Sequence, residues 1–276
     1  MSTFPDSTIQ ANGIALHYYR TGGNKPPIVL LHGFTDNALC WTRVAHVLEP
    51  DYDVIMVDAR GHGLSEGPTT GFSTQLHADD ITALIQELHL DQPFLLGHSM
   101  GAFTASLVAA QHPDLIRACL LEDPPWLTRT SPPLTQDKQS QLQEPSAHPW
   151  YKWVAELKAQ TREERIKMGH RAAPTWVDEE LEPWADAKEQ FDLNVFRYNS
   201  PLPSWRTIVP NITCPILLIT GDAQKSAIIT PEVAQEASHL WKDGQSIHIA
   251  GAGHSIHRDQ FAQYKDVITN FLKYAS

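Results

Sequence analysis

The stretch "LLGHSMGAF", Leu95 to Phe103, places a serine between two glycines where an apolar run gives way to a helical pattern. Its centre, GHSMG at 97–101, fits the GxSxG elbow, a sharp turn from strand to helix that lifts the serine hydroxyl above the end of a sheet. A side chain at Gly97 or Gly101 would crowd the backbone of such a turn. The pattern therefore predicts Ser99 to be a nucleophile and not merely part of a tight turn.

Short apolar runs alternate with amphipathic stretches along most of the chain. This alternation predicts an α/β fold with a mostly parallel central sheet of about eight strands and helices on both faces. Asn12-Gly13 predicts a hairpin turn between the first two strands, at the edge of the sheet. The spacing of apolar residues predicts packing helices over 75–88 and 261–272. The predicted strands lie in the runs "IALHYY", "PIVLLHG", "DVIMVDARG", "FLLGHS", "IRACLLEDPP", "CPILLITGD" and "SIHIAGAGH".

Between about Pro124 and Trp205 the strand-like runs disappear and prolines and tryptophans become frequent. Two helical pieces are predicted there, near 151–167 and 177–198. We expect a core domain formed by residues 1–123 and 206–276. A helical cap, residues 124–205, is then inserted after the sixth strand as a lid over the sheet.

Composition excludes several classes of partner. Lys and Arg number 21 against 32 Asp and Glu, which gives a net charge of -11 with no basic stretch. Nucleic acid and anionic membranes are therefore not expected partners. The opening "MSTFPDSTIQ" lacks a leader pattern, and no run approaches the roughly 20 apolar residues of a membrane span. We expect a cytoplasmic protein of unassigned oligomeric state, with Cys40, Cys119 and Cys214 as reduced thiols.

A serine is unreactive at neutral pH unless a base removes its proton, so a histidine late in the chain is required. His254, in "GAGHSIH", follows the last strand-like run and precedes the final helix. His257 is the nearest competitor, at the predicted start of that helix. The histidines form no metal-site pattern such as HExxH, so neither a metal nor a cofactor is expected.

Four motifs in this order and spacing resemble those of the α/β-hydrolase family: "LLHGF" at 30–34, "DARGHGLSEGP" at 58–68, "GHSMG" and "GAGH". The resemblance spans essentially the whole chain. It implies an oxyanion hole formed by the backbone N–H groups of Met100 and Phe34. It also implies that 58–65 is a structural loop that supports the site without chemistry.

The acid that would orient the histidine is left open by the sequence. Many family members carry it after the seventh strand, where this chain reads "LLITGDAQK", with Asp222 available and Gln224 at the usual position. Others carry it at the end of the sixth strand, where "CLLEDPPW" offers Glu122 and Asp123. Strand alternation directs these two to opposite faces, so only one can reach His254. We predict Asp123, with Asp222 as the alternative and Glu122 as a third possibility.

The motif positions also suggest walls for a substrate pocket. A tryptophan-rich cap can fasten helices to the core or line a pocket for an apolar or aromatic group. The residues predicted at the pocket are His32, Gly33, His98 and Trp126, beside Phe34 and Met100.

The leading hypothesis is a serine hydrolase of carboxylesterase or lactonase type. It would act through an acyl-enzyme on a small apolar or aromatic ester or lactone. Among enzymes, the alternatives are a carbon–carbon bond hydrolase of ring-cleavage products and a cofactor-free activity that forms peracids. Outside enzymes, the alternative is a ligand-sensing receptor that keeps the same residues and turns over very slowly.

Overall fold

The computed structural model describes residues 4–69, 71–127, 144–198 and 201–275, and these build one eight-stranded sheet in the order β1-β2-β4-β3-β5-β6-β7-β8. The strands are β1 (Asp6–Ala11), β2 (Ile14–Arg20), β3 (Pro27–Leu31), β4 (Asp53–Val57), β5 (Phe94–His98), β6 (Ala118–Glu122), β7 (Ile216–Thr220) and β8 (Gly244–His248). The pairs from β4 to β8 are parallel, whereas β1 and β2 join antiparallel. The predicted fold class is confirmed.

The first two strands form the predicted hairpin at the edge of the sheet. Its turn residues, Asn12 and Gly13, both have positive φ, at 50° and 76°. A two-residue hairpin turn of this kind needs left-handed backbone at both positions, which asparagine and glycine tolerate best.

Helices cover both faces of the sheet because the side chains of each central strand alternate between two apolar cores. Leu95 of β5 packs in one core, and its neighbours Phe94 and Leu96 pack in the other. The first core takes in α2 and α3, and the second takes in α1 and α10. The helices are α1 (Thr42–Leu48), α2 (Thr74–Glu87), α3 (Met100–Gln111), α4 (Tyr151–Lys158), α5 (Arg162–Ala172), α6 (Asp178–Gln190), α7 (Trp205–Ile208), α8 (Pro231–Ser238), α9 (Ile256–Asp259) and α10 (Phe261–Tyr274).

The described chain between β6 and β7 is helical, as the sequence suggested, but it is divided differently. The helix predicted over 151–167 is two helices, because Thr161 caps α5 in a capping box with Glu164. Helix α6 ends at Gln190, and a 3-10 turn follows at Leu193–Arg197. The division into a core and a cap over 124–205 stays a prediction, and its residues 128–143 and 199–200 lie outside the described chain.

The parallel strands bring their carboxyl ends to one edge of the sheet, where ligands bind in folds of this class. The motif residues follow these ends: Ser99 after β5, Asp123 after β6 and His254 beyond β8. None of the helices in the described ranges combines the length and the apolar character needed to cross a membrane.

Candidate active site

Ser99 occupies a strained turn between β5 and α3. Its backbone has φ 50° and ψ -113°, in the left-handed half of conformational space that non-glycine residues rarely enter. The N–H of Ser99 donates to the carbonyl of Glu122 at 2.9 Å, which ties the turn to β6. A Cβ at Gly97 would lie 2.3 Å from the carbonyl carbon of Gly101, so only glycine permits this close approach. The turn has the geometry that the GxSxG pattern predicted.

His254 and Asp123 are in direct contact, with Nδ1 of the histidine 2.6 Å from Oδ2 of the aspartate. The aspartate is fully buried and directly follows β6, with φ 41°. Its carboxylate also accepts hydrogen bonds from the N–H groups of Ile228 and Ile229, at 2.8 to 3.0 Å. These donors fix the carboxylate and leave one oxygen aimed at the imidazole. Such a pair can hold a histidine in one tautomer and stabilise its protonated form.

Asp222, the alternative acid, has other partners. Its carboxylate accepts from the N–H of Gly251 at 2.9 Å and lies 3.0 Å from Nε2 of His248. Asp222 makes no hydrogen bond to His254 among the residues that the structure describes. Through these contacts Asp222 stabilises the loop after β8, near the surface.

Glu122 pairs with His257 on the other side of the strand from Asp123. Both side chains are fully buried, and Nδ1 of His257 lies 2.8 Å from Oε1 of Glu122. Burial by itself raises the pKa of Glu122, but the nearby His257, which donates from its ring and its backbone N–H, outweighs burial and lowers the pKa to about 2. The carboxylate is therefore ionised and holds the ring of His257, which leaves His254 as the histidine that contacts Asp123.

Two backbone N–H groups near Ser99 are free to donate hydrogen bonds to a negatively charged oxygen. Met100 is the first residue of α3, and Phe34 lies in the loop after β3. Within the described ranges neither N–H donates to another residue. The N-terminus of α3 adds a positive potential at this point. These are the two donors that the resemblance implied for an oxyanion hole, and that role stays a prediction.

Helix α6 holds the loop that carries Phe34. Lys188, buried on this helix, donates from Nζ to the carbonyl of Thr35 at 2.6 Å. The side chain of Asn37 donates to Gln190 at 2.9 Å. Burial lowers the pKa of Lys188 to about 8, although the negative charge of Asp36 acts to raise it. Sequence reasoning missed Lys188, because nothing in the local pattern separates it from the exposed lysines of a charged helix.

A buried arginine links α6 to the loop that carries His254. Arg258, in α9, donates from Nη2 to Asp36 at 2.8 Å and from Nε to Glu180 at 3.2 Å. The neighbouring Arg258 and Lys188 lower the pKa of Asp36 strongly, against the effect of its burial. The loops after β3 and β8 are thus joined through one charged network.

The cavity next to Ser99 measures about 520 Å³ and is mainly apolar, with several aromatic rings in its wall. Among the described residues that line it, none is Asp, Glu, Lys or Arg. Phe34 stands in an aromatic cluster, with ring centroids 5.3 Å from Phe191 and 5.8 Å from Trp150. The lining consists of Phe34, Phe72, Ser73, Thr74, His77, Ser99, Met100, Phe103, Pro125, Leu127, His148, Trp150, Val195, Phe196, Tyr198 and Leu202.

His98 and Gly33, predicted as pocket residues, lie behind the cavity and outside its lining. His98 is buried and donates from Nε2 to the carbonyl of His254 at 3.0 Å, so it supports the histidine loop. Burial lowers the pKa of His98 to about 3, which keeps it neutral. A Cβ on Gly33 would lie 2.7 Å from Nδ1 of His98, so the glycine allows the loop after β3 to pass this ring.

His32 and Trp126 also differ from their predicted place at the cavity wall. His32 is buried, and its Nε2 accepts the N–H of Ala59 at 3.0 Å. Trp126 is fully buried and stacks on Trp205 with centroids 5.2 Å apart. Both rings anchor loops to the core, which is the ordinary role of large buried rings. The neighbours of Trp126 in the chain, Pro125 and Leu127, line the cavity in its place.

A second cavity of about 310 Å³ is lined in part by His254. The side chain of His254 is 33% exposed, so water reaches it. The walls there are more polar and include Thr175, Lys225, Ser226 and Asp259. In the described ranges no three His, Cys, Asp or Glu side chains are grouped so that they could hold a metal ion.

Comparison with known proteins gives several matches that cover nearly the whole chain. A family model described as alpha/beta hydrolase fold matches residues 26–260. N-formylmaleamate deformylase of Pseudomonas putida is 31% identical, with 99% of this chain and 98% of that protein covered. A 2-(acetamidomethylene)succinate hydrolase of Mesorhizobium japonicum is 27% identical, over 92% and 90%. The crystal structure of an N-formylmaleamic acid deformylase from Pseudomonas putida S16 superposes with a TM-score of 0.74 at 27% identity, over 96% and 100%.

Proposed function

Because this chain belongs to the α/β-hydrolase family, we propose that it is a serine hydrolase that cleaves carboxylic esters or lactones through an acyl-enzyme. The observation that carries this proposal is the contact of 2.6 Å between His254 and the fully buried Asp123, beside the strained turn of Ser99. An imidazole held in one tautomer next to such a turn is what serine nucleophiles require.

In the proposed reaction Ser99 Oγ attacks the substrate carbonyl while His254 takes the hydroxyl proton. Asp123 orients the imidazole through Nδ1 and stabilises the imidazolium. The N–H groups of Met100 and Phe34 would bind the oxyanion, and each such donor is commonly worth about 3 kcal/mol of barrier. His254 returns the proton to the leaving alkoxide, and a water molecule activated by the same histidine then hydrolyses the acyl-enzyme.

The lining of the cavity supports an apolar or aromatic acyl group. Rings of Phe34, Phe72, Phe103 and Phe196 contribute to its walls, and the described lining has no charged side chain. An anionic group would lose its hydration there without gaining an ion pair. The two curated relatives have names that denote derivatives of dicarboxylic acids, so we expect the substrate of this chain to differ from theirs in charge.

A second candidate is hydrolysis of an N-acyl bond. The names of the two relatives, a deformylase and an acetamidomethylene hydrolase, favour it, and both align with more than nine-tenths of this chain. The same nucleophile, base and oxyanion donors would serve, since an amide carbonyl also passes through a tetrahedral intermediate. The carbon–carbon hydrolase remains compatible with the family.

Progress curves on three substrate classes test the proposal. They are nitrophenyl esters and lactones of increasing acyl size, N-formyl and N-acetyl enamides, and a vinylogous diketone. Each is assayed with the wild type, Ser99→Ala and, as a matched control, Ser238→Ala on α8. We expect multiple turnover of apolar esters that falls about 10⁴-fold or more in Ser99→Ala and is unchanged in Ser238→Ala.

The alternative outcomes separate the candidates. Turnover that depends on Ser99 but is confined to enamides or to the diketone would replace the ester assignment by one of those reactions. A single turnover followed by arrest would favour the ligand sensor. Equal rates in the wild type and Ser99→Ala would contradict the serine mechanism.

A further inference from the structure

His148 places an imidazole in the mainly apolar wall of the cavity beside Ser99. It lines the same cavity as Ser99 and directly follows the 3-10 turn Pro145–Ala147. Its ring packs on Phe196, with centroids 4.6 Å apart and planes 33° from parallel. One face of the imidazole is therefore covered, and the ring orientation is fixed by this packing.

The hydrogen bond made by His148 defines its tautomer. Nδ1 lies 3.2 Å from the backbone N of Trp150 and accepts its hydrogen. Partial burial lowers the pKa of His148, so the ring is neutral at pH 7. A neutral imidazole that accepts at Nδ1 carries its proton at Nε2. Within the described ranges this Nε2–H has no hydrogen-bond partner.

Several other polar side chains of the lining already have a partner or are enclosed. The hydroxyl of Ser73 accepts the N–H of Leu76 as the N-cap of α2. The hydroxyl of Tyr198 donates to the carbonyl of Pro68 at 2.6 Å. Burial lowers the pKa of His77 to about 3, and its Nε2 is enclosed and closed to solvent. The hydroxyls of Ser73 and Thr74 can rotate, whereas the packed imidazole of His148 offers its donor in a fixed direction.

We propose that the Nε2–H of His148 is a specificity determinant of this cavity. It donates a hydrogen bond to a neutral acceptor, such as a keto, ether or amide oxygen, on the apolar or aromatic acyl group carried by Ser99. This proposal rests on the proposed function, because it takes the cavity beside Ser99 as the acyl site. An acyl group that lacks an acceptor would leave the desolvated Nε2–H of His148 unpaired. This cost would make the cavity discriminate against such acyl groups.

Binding to a protein that cannot turn over tests the proposal separately from catalysis. The Ser99→Ala protein is titrated calorimetrically with N-methyl 3-arylpropanamides that carry a para-acetyl, para-isopropyl or para-carboxylate group. Acetyl and isopropyl have nearly the same shape, and only acetyl can accept a hydrogen bond. We expect the acetyl ligand to bind about fivefold more tightly than the isopropyl ligand, and the carboxylate to bind most weakly.

Two further variants in the Ser99→Ala background assign this preference to His148. His148→Phe keeps a ring on Phe196 and removes the donor, so the acetyl and isopropyl ligands should bind equally. His46→Phe is the matched control, because His46 packs on Phe4 with centroids 4.8 Å apart and the same 33° angle, and it is not part of the cavity lining. It should keep the fivefold preference.

The proposal is overturned by equal binding of the acetyl and isopropyl ligands to Ser99→Ala, by a preference that survives His148→Phe, or by tightest binding of the carboxylate ligand.

Failure of the proposed function would give a different set of results. If the acetyl preference depends on His148 while the wild type hydrolyses none of the test substrates, recognition stands and the reaction is reassigned. If esters are hydrolysed but no preference exists, only the role of His148 fails.

Discussion

Asp123 and Asp222 follow neighbouring strands of the sheet, yet their carboxylates have different partners. Asp123 is fully buried and contacts the imidazole of His254, with two backbone N–H groups as further donors. Asp222 contacts His248 and the N–H of Gly251. At the scale of single residues, the proposed mechanism therefore depends on one carboxylate, and the other stabilises a loop.

Substitution of the two aspartates by asparagine should have unequal effects on catalysis. Asp123→Asn removes the charge that stabilises the imidazolium and favours the wrong tautomer, so kcat should fall about 10⁴-fold. Asp222→Asn should change kcat by less than about tenfold, since its carboxylate contacts neither His254 nor the cavity. Steady-state kinetics on the best ester measures both, and an equal loss in the two variants would contradict the assignment of Asp123.

At the scale of elements, the elbow depends on how closely α3 approaches β3. A Cβ at Gly101 would lie 2.1 Å from the carbonyl oxygen of Leu31, which is backbone and cannot move aside like a side chain. Gly13, by contrast, has φ 76° and open space around it. The two glycines are thus required for different reasons, one for space and one for backbone conformation.

Alanine substitutions at Gly101 and Gly13 should separate the cost of a steric clash from the cost of backbone strain. Gly101→Ala should lower the free energy of unfolding by about 3 kcal/mol, because α3 must shift away from β3. Gly13→Ala should cost about 1 kcal/mol, the strain of a left-handed alanine. Urea unfolding followed by circular dichroism measures both values. Comparable losses at the two sites would show that the contact between α3 and β3 is not the constraint.

Helix α6 connects the described region between β6 and β7 to the loop that carries Phe34. Replacing Lys188 by methionine removes the bond to the Thr35 carbonyl and leaves most of the buried volume filled. If this bond positions the proposed oxyanion donor, kcat should fall roughly 10- to 100-fold with a smaller change in KM. Lys167→Met, which removes an exposed lysine of α5 paired with Glu163, is the control and should leave both constants unchanged. A rise in KM alone would assign Lys188 to substrate binding.

At the scale of the whole molecule, buried carboxylates connect folding to pH. The pKa of Glu122 falls from an ordinary value of 4.5 to about 2 on folding, and that of Asp36 is also lowered. A depressed carboxyl pKa stabilises the fold fully above the unfolded value, and this contribution is lost as pH falls through the folded value. Acid should therefore destabilise the protein between about pH 5 and pH 2.

The variant Glu122→Gln tests that linkage. At pH 7 it should be about 3 kcal/mol less stable than the wild type, because the buried negative charge beside His257 is lost and only one of the two acceptor oxygens remains. Between pH 5 and pH 3 its stability should fall less steeply than that of the wild type, because one of the linked carboxyls is gone. Urea midpoints at several pH values measure both effects. Parallel curves for the two proteins would contradict a role for Glu122 in acid unfolding.

Prediction from sequence succeeded where a feature depends on neighbouring residues. The hairpin at Asn12-Gly13 and the helix over 261–272 rest on turn chemistry and on apolar spacing, and the structure contains both. Prediction was less accurate between β6 and β7, where the cap at Thr161 divides one predicted helix into two. Trp126 was expected at the cavity wall and instead stacks within the core, because residue type alone does not set the direction of a side chain.

The sequence by itself determined the order of strands and helices, the turn at Ser99 and a choice of three carboxylates for His254. Only the tertiary structure decided which carboxylate contacts the histidine, which charged side chains are buried and which rings face the cavity. The reason is physical. Turns and helices are governed by interactions across a few residues, whereas the contact between Asp123 and His254 joins positions 131 residues apart. Such contacts depend on how the whole sheet and its helices pack.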